Sequence, residues 1–453
     1  MKYAGVRQIA LLLGALALPV TAFAQTQLTL ERAVATALQE NPARKAAVFE
    51  QQAAAADTKL AKSALLPQIG FAEAYQRSND PVFVFGARLL QRSFTAADFA
   101  LNRLNTPTPF DNFVTRFSGN WQLFDSGVSW LRVRQAKQMD QVAARRLQRS
   151  DQELVMRVVD AYVSLLLAGK QQQVAEDALK TSQSILDRSR SYVQAGMVVE
   201  SDLLSAQVNY AAREQELIRA RNAGALSRTQ LNHEMGVSPD TQFDPADLLA
   251  EKTFPSASLD VLEERALAQR PDLQGVTLQQ AVQADGVRAA KASFGPRLNA
   301  ITDWESDNPR FAGGGGNNWM AAVEIQIDLF DGGAKHARLQ RERAMKGRID
   351  ALHDAAISGI RLEVRKAYLD FDAARQQVEV VRAAVGQAQE SLRIGQNRYE
   401  AGLSTITDLL RMQEAAVRAQ TDYSQALYRL QTSYANLELA TGTLDANSPV
   451  VKQ

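Results

Sequence analysis

Two very long stretches without proline constrain the fold of this chain more than any other feature. They extend from Phe110 to Ser238 and from Arg310 to Ser448, and Ala, Gln, Arg, Leu and Glu dominate both. These residue types favour helices. A single helix from Gly127 to Ala195 would reach on the order of 100 Å, at about 1.5 Å per residue. Because a small globular domain is several-fold narrower, the sequence predicts helices that project far beyond any compact core.

The chain is also an internal duplication. The pentapeptides LFDSG and LFDGG begin at Leu123 and Leu329, and the same offset relates residue pairs throughout the downstream part of each copy. Upstream a larger offset applies, because the first copy holds extra residues between Pro67 and Leu123. Matching pairs include Tyr162 with Tyr368, Gly236 with Gly442, Pro42 with Pro271, and Pro67 with Pro296. The sequence therefore predicts two copies of one structural plan.

Each copy is predicted to hold short helices, a β-hairpin and a long helical hairpin, in that order. A short helix opens each copy, at about Leu30 to Glu40 or Leu259 to Gln269, and ends before a proline that suits the first turn of the next helix. The predicted boundaries are repeats at 25–240 and 258–442, a linker at 241–257, a tail at 443–453, β-hairpins near 68–124 and 297–330, and helical hairpins near 126–236 and 332–441.

Residues 1–24 have the features of a secretory signal peptide. Lys2 and Arg7 form a basic start, an apolar run extends from Ile9 to Val20, and Ala22-Phe23-Ala24 is a small-x-small cleavage site. The chain is therefore expected to be exported. It contains no cysteine, which excludes disulfides and the lipidated cysteine of a bacterial lipoprotein.

The second long helix carries a narrow stripe of apolar and small residues. The stripe extends from Ile360 to Tyr399 in alternating steps of four and three, which is a 3.5-residue repeat. Such a repeat predicts left-handed supercoiling against neighbouring helices. Many members are small, so neighbouring helices can approach closely.

The residues before each long helix alternate between apolar and polar side chains. The apolar series are Phe113, Phe117, Trp121 and Leu123 in the first copy and Trp319, Val323, Ile325, Ile327 and Leu329 in the second. This pattern suits transmembrane β-strands that face lipid on one side and water on the other. A half-buried sheet in a soluble protein also alternates. The export signal and the helix lengths favour the membrane.

Four strands cannot close a barrel, and an open sheet edge in hydrocarbon leaves unpaired backbone groups that cost several kcal/mol each. Several identical chains must therefore pool their strands. The predicted fold class is mainly α, with a duplicated strand-strand-long helix repeat and a transmembrane β-barrel part that is completed by oligomerisation.

The ordered set of duplicated features resembles the TolC-type outer membrane efflux proteins of Gram-negative bacteria. The features are the two LFD(S/G)G segments, two helix tips of the form AG(M/L) followed by DLL, and prolines at 42, 67, 271 and 296. The resemblance covers essentially the whole mature chain. It implies a homotrimer whose outer-membrane β-barrel continues into a periplasmic α-helical barrel. It also implies a passive exit duct that docks onto a periplasmic adaptor protein and, through it, an inner-membrane pump.

The resemblance assigns roles to three groups of residues. The strand-to-helix junctions are Phe124, Asp125 and Gly127 in the first copy and Phe330, Asp331 and Gly333 in the second. The tips expected to meet the adaptor are Ala195, Gly196, Met197, Ala401, Gly402 and Leu403. The periplasmic gate is expected at Asp202, Tyr399, Ser404, Asp408 and Arg411.

Some of these residues also have a purely structural explanation. Gly196 and Gly402 suit helix C-caps, and Thr405 with Asp408 matches a capping box. Two gate positions depart from the family pattern. Ser404 stands where an arginine can occur, and Arg411 stands where a second lumenal aspartate can occur. The positive charge of Arg411 would weaken or neutralise an acidic, cation-selective ring.

Two other classes of protein are less consistent with the sequence. An enzyme is disfavoured because His233, His336 and His353 do not have metal-ligand spacing and no phosphate-binding loop is present. We expect no cofactor or metal. The formal net charge of +1 disfavours nucleic-acid binding. A periplasmic coiled-coil adaptor or scaffold remains the alternative, although an adaptor has one helical hairpin rather than two.

Overall fold

The computed structural model describes residues 27–452, so the predicted signal peptide at 1–24 lies outside the described residues. The first copy contains α1 (Leu30–Glu40), α2 (Pro42–Ser63), β2 (Gln68–Ser78), α3 (Pro81–Leu90), a 3-10 turn (Ala96–Phe99), α4 (Leu101–Asn105), β3 (Phe110–Phe124), α5 (Val128–Gln194) and α6 (Glu200–Met235). The second copy contains α7 (Leu259–Gln269), α8 (Pro271–Ala292), β5 (Arg297–Asn308), β6 (Gly316–Gln326), α9 (Ala334–Glu400) and α10 (Ile406–Thr441). A short parallel pair, β1 (Gln27–Leu28) with β4 (Asp244–Pro245), and a last turn, α11 (Pro449–Lys452), complete the fold.

The long helices have identical lengths in the two copies. Both α5 and α9 have 67 residues, and both α6 and α10 have 36. The small and apolar stripe that the sequence predicts on α9 is buried or half-buried along its whole length, from Ile360 to Tyr399. The helices therefore pack side by side through this seam. Within residues 27–452, none of the helices combines the length and the hydropathy that crossing a bilayer requires.

The four long strands form one antiparallel sheet in the order β2-β3-β5-β6. Register places Phe71 opposite Phe117, and Phe117 opposite Trp304, so aromatic rings line one face. The ring centroids of Phe71 and Phe117 are 5.1 Å apart, and those of Phe117 and Trp304 are 5.8 Å apart. Three charged residues share this face. Arg77 and Asp111 pair with each other at one end of the strands, and the Thr115 hydroxyl donates a 2.6 Å hydrogen bond to the carboxylate of Glu73 on the neighbouring strand.

The opposite face of the sheet is polar. Arg116 pairs in register with Glu305, and their side chains form an ion pair. Asp303 and Asn299 lie on the same face of β5, and Glu324 lies on that face of β6. One face therefore carries aromatic rings on all four strands, and the other is polar, with charged residues on β3, β5 and β6, as the alternation predicts.

The end of β6 differs from the sequence prediction. The alternation extends to Leu329, but the strand ends at Gln326, opposite Arg297. Pro296 precedes Arg297 and has no N–H to continue the ladder. Asp328 instead accepts one hydrogen bond from Arg297 Nη2 at 2.8 Å and forms an ion pair with Lys335 Nζ at 3.2 Å. In the first copy β3 continues to Phe124 through an irregularity near Gln122.

Residues 79–109 also differ from the prediction. From the sequence, Ser78–Asn112 is expected to be a loop between the strands of the first hairpin, whereas the structure has two helices and a 3-10 turn there. The first of these, PVFVFGARLL, begins at a capping Asp80, whose carboxylate accepts a 2.8 Å hydrogen bond from the Phe83 N–H. The sequence does not predict these helices, because helices this short have little intrinsic stability and depend on tertiary contacts.

The main hydrophobic core lies where the short helices pack around the middle of the long ones. It combines residues of α1, α5, α7, α9 and α10 with the C-terminal residues. Tyr162 is 1% exposed, and its hydroxyl donates to Asp247 Oδ2 at 2.6 Å and lies 2.8 Å from the Leu28 carbonyl oxygen. One tyrosine thus links the long helix to β1 and to the segment that follows β4.

Glu438 is a buried carboxyl group in this core. It is 8% exposed, and its Oε2 has no hydrogen-bond partner among the described residues. Burial, with a smaller contribution from the charge of Asp445, raises the pKa of Glu438 to about 7 from an ordinary value of 4.5. Between these two values the folded state holds a proton that the unfolded state has lost. Stability therefore falls as the pH rises through this window.

We expect Glu438→Gln to remove most of this pH dependence, since the amide is neutral at every pH. The wild-type protein should lose on the order of 3 kcal/mol between about pH 4.5 and 7 relative to the variant. Melting temperatures measured in detergent across this range would show it. Glu264→Gln, at an exposed position, is the matched control. Parallel pH profiles for wild type and Glu438→Gln would contradict the assignment.

Candidate functional site

The candidate site is the pair of tips at which the long helices turn back. The backbone of Gly196 has φ of 71° and that of Gly402 has φ of 70°, a left-handed conformation that glycine adopts without strain. The Met197 N–H donates to the Tyr192 carbonyl at 2.9 Å, and the Leu403 N–H donates to the Arg398 carbonyl at 2.8 Å. Both helices therefore end in the same glycine cap.

The tips present apolar side chains to solvent. Met197 is 65% exposed and Leu403 is 69% exposed, and the flanking Ala195 and Ala401 are exposed as well. Equivalent positions in the two copies are thus both apolar and both accessible.

Tyr399 lies inside the protomer, between the two helical hairpins. It is 4% exposed, and its hydroxyl is 3.2 Å from Ser189 Oγ on α5, with either group able to donate. It belongs to a small cluster, separate from the main core, that is formed by Ile185, Leu186, Ala206, Tyr399, Ile406 and Leu409.

Two further contacts join α5 to the end of α9. The Tyr192 hydroxyl donates to the Glu400 carbonyl at 3.2 Å. The Arg188 guanidinium forms an ion pair with the Glu400 carboxylate, and both side chains are more than two-fifths exposed. An exposed pair of this kind contributes little to stability. At the tip the two hairpins are therefore held together by this small cluster and by a few weak polar contacts.

The return helices are linked by a second polar group that the sequence reading missed. Asn209 Nδ2 donates to Ser182 Oγ at 2.8 Å and to Gln413 Oε1 at 3.1 Å. Gln413 is 1% exposed, and its Nε2 donates to the Ala178 carbonyl at 3.1 Å. Arg213 forms an ion pair with Glu414. A polar residue at a buried seam position, such as Gln413, is the signal that could have identified this group.

Asp408 lies at the start of α10 and is held by Thr405. Its N–H donates to Thr405 Oγ1 at 3.2 Å, and the Thr405 hydroxyl donates to Asp408 Oδ2 at 2.7 Å. These hydrogen bonds lower the pKa of Asp408 from its ordinary value, and the charges of Arg411 and Arg398 add to the effect. Asp408 therefore carries its negative charge at neutral pH.

Of the other residues predicted to form the gate, Ser404 and Arg411 lie near this cap and Asp202 lies at the start of α6. Ser404 is half-buried beside Thr405, and Arg411 is exposed one turn after Asp408. Asp202 occupies the equivalent position at the start of α6, where the capping residue is Val199 and no side chain caps the helix. The two copies thus share the acidic residue but only the second has a side-chain cap.

The strand-to-helix junctions have the same geometry in both copies. Gly127 has φ of 89° and Gly333 has φ of 88°. Asp125 Oδ2 accepts from the Ser129 N–H at 2.7 Å, and Asp331 Oδ2 accepts from the Lys335 N–H at 2.8 Å. Each carboxylate therefore lies at a helix N-terminus, where negative charge is favoured. Phe124 ends β3, whereas Phe330 lies beyond the end of β6 and is 89% exposed.

Comparison with known proteins identifies the family. The sequence profile described as "Outer membrane efflux protein" matches residues 33–237 and 262–443. The chain belongs to the outer membrane efflux protein family.

Individual relatives agree with this assignment. The alkaline protease secretion protein AprF of Pseudomonas aeruginosa is 25% identical over 421 residues, which cover 90% of this chain and 83% of AprF. The outer membrane protein TolC of Escherichia coli is 21% identical over 422 residues, which cover 89% of this chain and 80% of TolC. The CmeC outer membrane channel of Campylobacter jejuni has the same fold, with a TM-score of 0.78, 18% identity, and coverage of 93% of this chain and 88% of CmeC.

Family membership confirms several predictions from the sequence. These are the resemblance itself, the fold class, the outer-membrane location and the function as an outer membrane exit duct. The family is one of transport conduits rather than enzymes. For this outer membrane efflux protein, the duct is therefore favoured over the alternative of a periplasmic adaptor or scaffold.

The difference in capping between the two tips can be tested by swapping the residue types at the two N-cap positions, Thr405 and Val199. We expect Thr405→Val to loosen the first turn of α10, because loss of an N-cap costs about 1 kcal/mol. The reciprocal Val199→Thr, which places a threonine three residues before Asp202, should tighten the first turn of α6. Hydrogen exchange of the two tips, measured by mass spectrometry, would show opposite changes in the two variants. Unchanged exchange at both tips would contradict the capping role of Thr405.

Proposed function

We propose that three copies of this chain assemble into one duct, in which each copy supplies four strands to a closed outer-membrane barrel. The observation that supports this proposal is the sheet order, because β2 and β6 each pair on one side only among the described strands. Their free edges can be satisfied in a membrane only by pairing with another chain. A barrel of roughly eight strands is filled by its own side chains, so two copies would be too few for a duct.

The faces of the sheet support the same arrangement. Ile69 is 80% exposed, Trp319 is 79% exposed and Ile325 is 69% exposed, all on the aromatic face. Exposed apolar side chains in this number suit contact with lipid rather than with water. The charged face, with Arg116 and Glu305, would then line the water-filled interior.

The rest of the duct follows from the duplicated repeats, which we propose at 25–240 and 258–442 with 241–257 between them. The long helices would continue the barrel as a tunnel through the periplasm. We further propose that the exposed apolar tips dock onto a periplasmic adaptor and that an inner-membrane pump supplies the energy. The names of two relatives that match most of the chain, AprF and the proteases secretion protein PrtF, support a secretion system. A third, OpmQ, is named for pyoverdine export, which supports small-molecule efflux.

The small apolar cluster that contains Tyr399, near the tips of the long helices, is proposed to act as the gate. Tyr399 links the hairpins through Ser189, and opening would separate the hairpins at this point. The narrow end would then be lined by Asp202, Ser404, Asp408 and Arg411. There the positive charge of Arg411 would partly neutralise the negative charge of Asp408. The polar contacts between the hairpins are few, which allows a partner to break them.

The assembly can be tested with a pair of adjacent alanines in β6. Ala321 pairs with Thr302 on the aromatic face, and Ala322 pairs with Ile301 on the charged face. We expect Ala321→Lys to reduce the amount of folded trimer in the outer membrane, because lysine on a lipid-facing surface costs about 2–4 kcal/mol near the bilayer centre. Ala322→Lys, which faces the interior, should assemble normally. Heat-modifiable mobility in electrophoresis measures the trimer, and equal yields would contradict the proposed faces.

The gate can be tested by removing one hydroxyl. Tyr399→Phe eliminates the contact with Ser189, which is worth about 1 kcal/mol, or roughly a fivefold change in the closed-to-open ratio for each protomer. We expect a higher open probability in planar bilayers. Tyr368→Phe, on the same helix but far from the tip, is the control. Indistinguishable channel records for Tyr399→Phe and wild type would overturn this role for Tyr399.

A further inference from the structure

The first β-hairpin carries a small folded unit that the second one lacks. Residues 309–315 join β5 to β6 directly, whereas residues 79–109, which contain α3 and α4, join β2 to β3. Both connections lie at the strand ends opposite the junctions with the long helices. In the outer membrane, this is the external mouth of the duct. We refer to residues 79–109 as the mouth cap.

The end of α3 is bonded to the polar face of the sheet. Gln91 Nε2 donates to the Asp111 carbonyl and to Asn112 Oδ1, both at 2.8 Å. Asn112 Nδ2 in turn donates to Asp307 Oδ1 on β5 at 2.6 Å. Gln91 is 6% exposed, Asn112 3% and Asp307 1%. Val114, on the same face of β3 as Asn112, pairs with Asp307. The mouth cap is therefore anchored on the charged face rather than the aromatic one.

The same part of the mouth cap reaches the fourth strand. Arg92 Nη2 donates to the Asn317 carbonyl on β6 at 3.2 Å. Gly316 pairs with Asp307 and approaches the Leu90 carbonyl so closely that a Cβ there would lie 1.8 Å from its oxygen. The mouth cap thus extends from β3 across β5 to β6, and a glycine is required where it meets β6.

The interior of the mouth cap is held by charge and by aromatic packing. Asp98 is 5% exposed and accepts hydrogen bonds from the Thr95 N–H at 2.9 Å and the Thr95 hydroxyl at 2.8 Å. Arg88 and Arg103 each lie 3.4 Å from its carboxylate. The rings of Phe85, Phe94 and Phe99 stack edge to face in sequence. Such a unit keeps its shape instead of moving as an open loop.

We propose that the mouth cap lies over the interior side of the external mouth and sets an upper size for what passes there. This inference rests on the proposed duct, because the charged face must line the lumen. Three copies would place three such units around one opening. The duct would then be restricted at its outer end by a fixed element and at its inner end by the gate.

The size filter can be tested directly by replacing the mouth cap with the shorter connection of the second hairpin. Residues 79–109 are replaced by the sequence of the sister connection, residues 309–315, which already joins two strands of this sheet. Polyethylene glycols of graded size are then added to the external side only of channels in planar bilayers. Reduced conductance marks the polymers that enter from that side. We expect the replacement to shift the external cutoff to larger polymers and to leave the cutoff measured from the periplasmic side unchanged.

A point substitution provides a second test in case the chain with the replaced segment does not fold. Gln91→Ala removes two hydrogen bonds to the sheet and should shift the external cutoff in the same direction, whereas Asn105→Ala, at an exposed position in α4, should not. An external cutoff identical to wild type in both the replacement and Gln91→Ala would overturn the mouth cap as a size filter. Failure of the wild-type chain to form a trimeric channel would instead refute the proposed duct.

Discussion

The unpaired backbone groups along β2 and β6 are the constraint on which the rest of this structure depends. Each strand is paired on one side only among the described strands. Hydrocarbon offers these N–H and C=O groups no alternative partner. A lone chain can therefore not be stable in a membrane. The two faces of the sheet can separate lipid from water only when further copies close the proposed barrel. The same closure lets the helices that follow the strands continue the duct.

The helical part is extensively packed in its middle and only sparsely packed at its tips. The main core contains large apolar residues and buried anchors such as Tyr162, whereas the tip is held by a small cluster and a few polar bonds. Local opening free energy is lowest where buried apolar contacts are few. The proposed opening would therefore separate the tips and leave the middle of the tunnel in place. This difference in packing also agrees with the proposed docking of an adaptor at the tips.

The sequence predicted the features that repeat. The bounds of α1 and α7, the seam on α9 and the alternating faces of the strands could all be read because each occurs twice or follows a regular period. Duplication also located the tips, since Gly196 and Gly402 fall at equivalent positions. Membership of the family followed from the order of these features rather than from any one of them.

Features that occur once could not be read in this way. The helices of residues 79–109 form because Gln91 and Arg92 reach other strands, and no local pattern contains that information. The end of β6 at Gln326 depends on Pro296, which immediately precedes the neighbouring strand β5. The partner of Tyr399 is a serine on another helix. Each depends on residues that are distant in the chain.

The identical lengths of α5 and α9 have a consequence for how such a chain can change. With 67 residues in each, both hairpins extend equally far and their turns lie at one level. Removing a heptad from one helix alone would shift its turn by about 10 Å relative to the other. The resulting rim would be uneven and could not seat a flat partner. Adjusting the duct to a wider or narrower periplasm therefore requires matched edits in four helices at once.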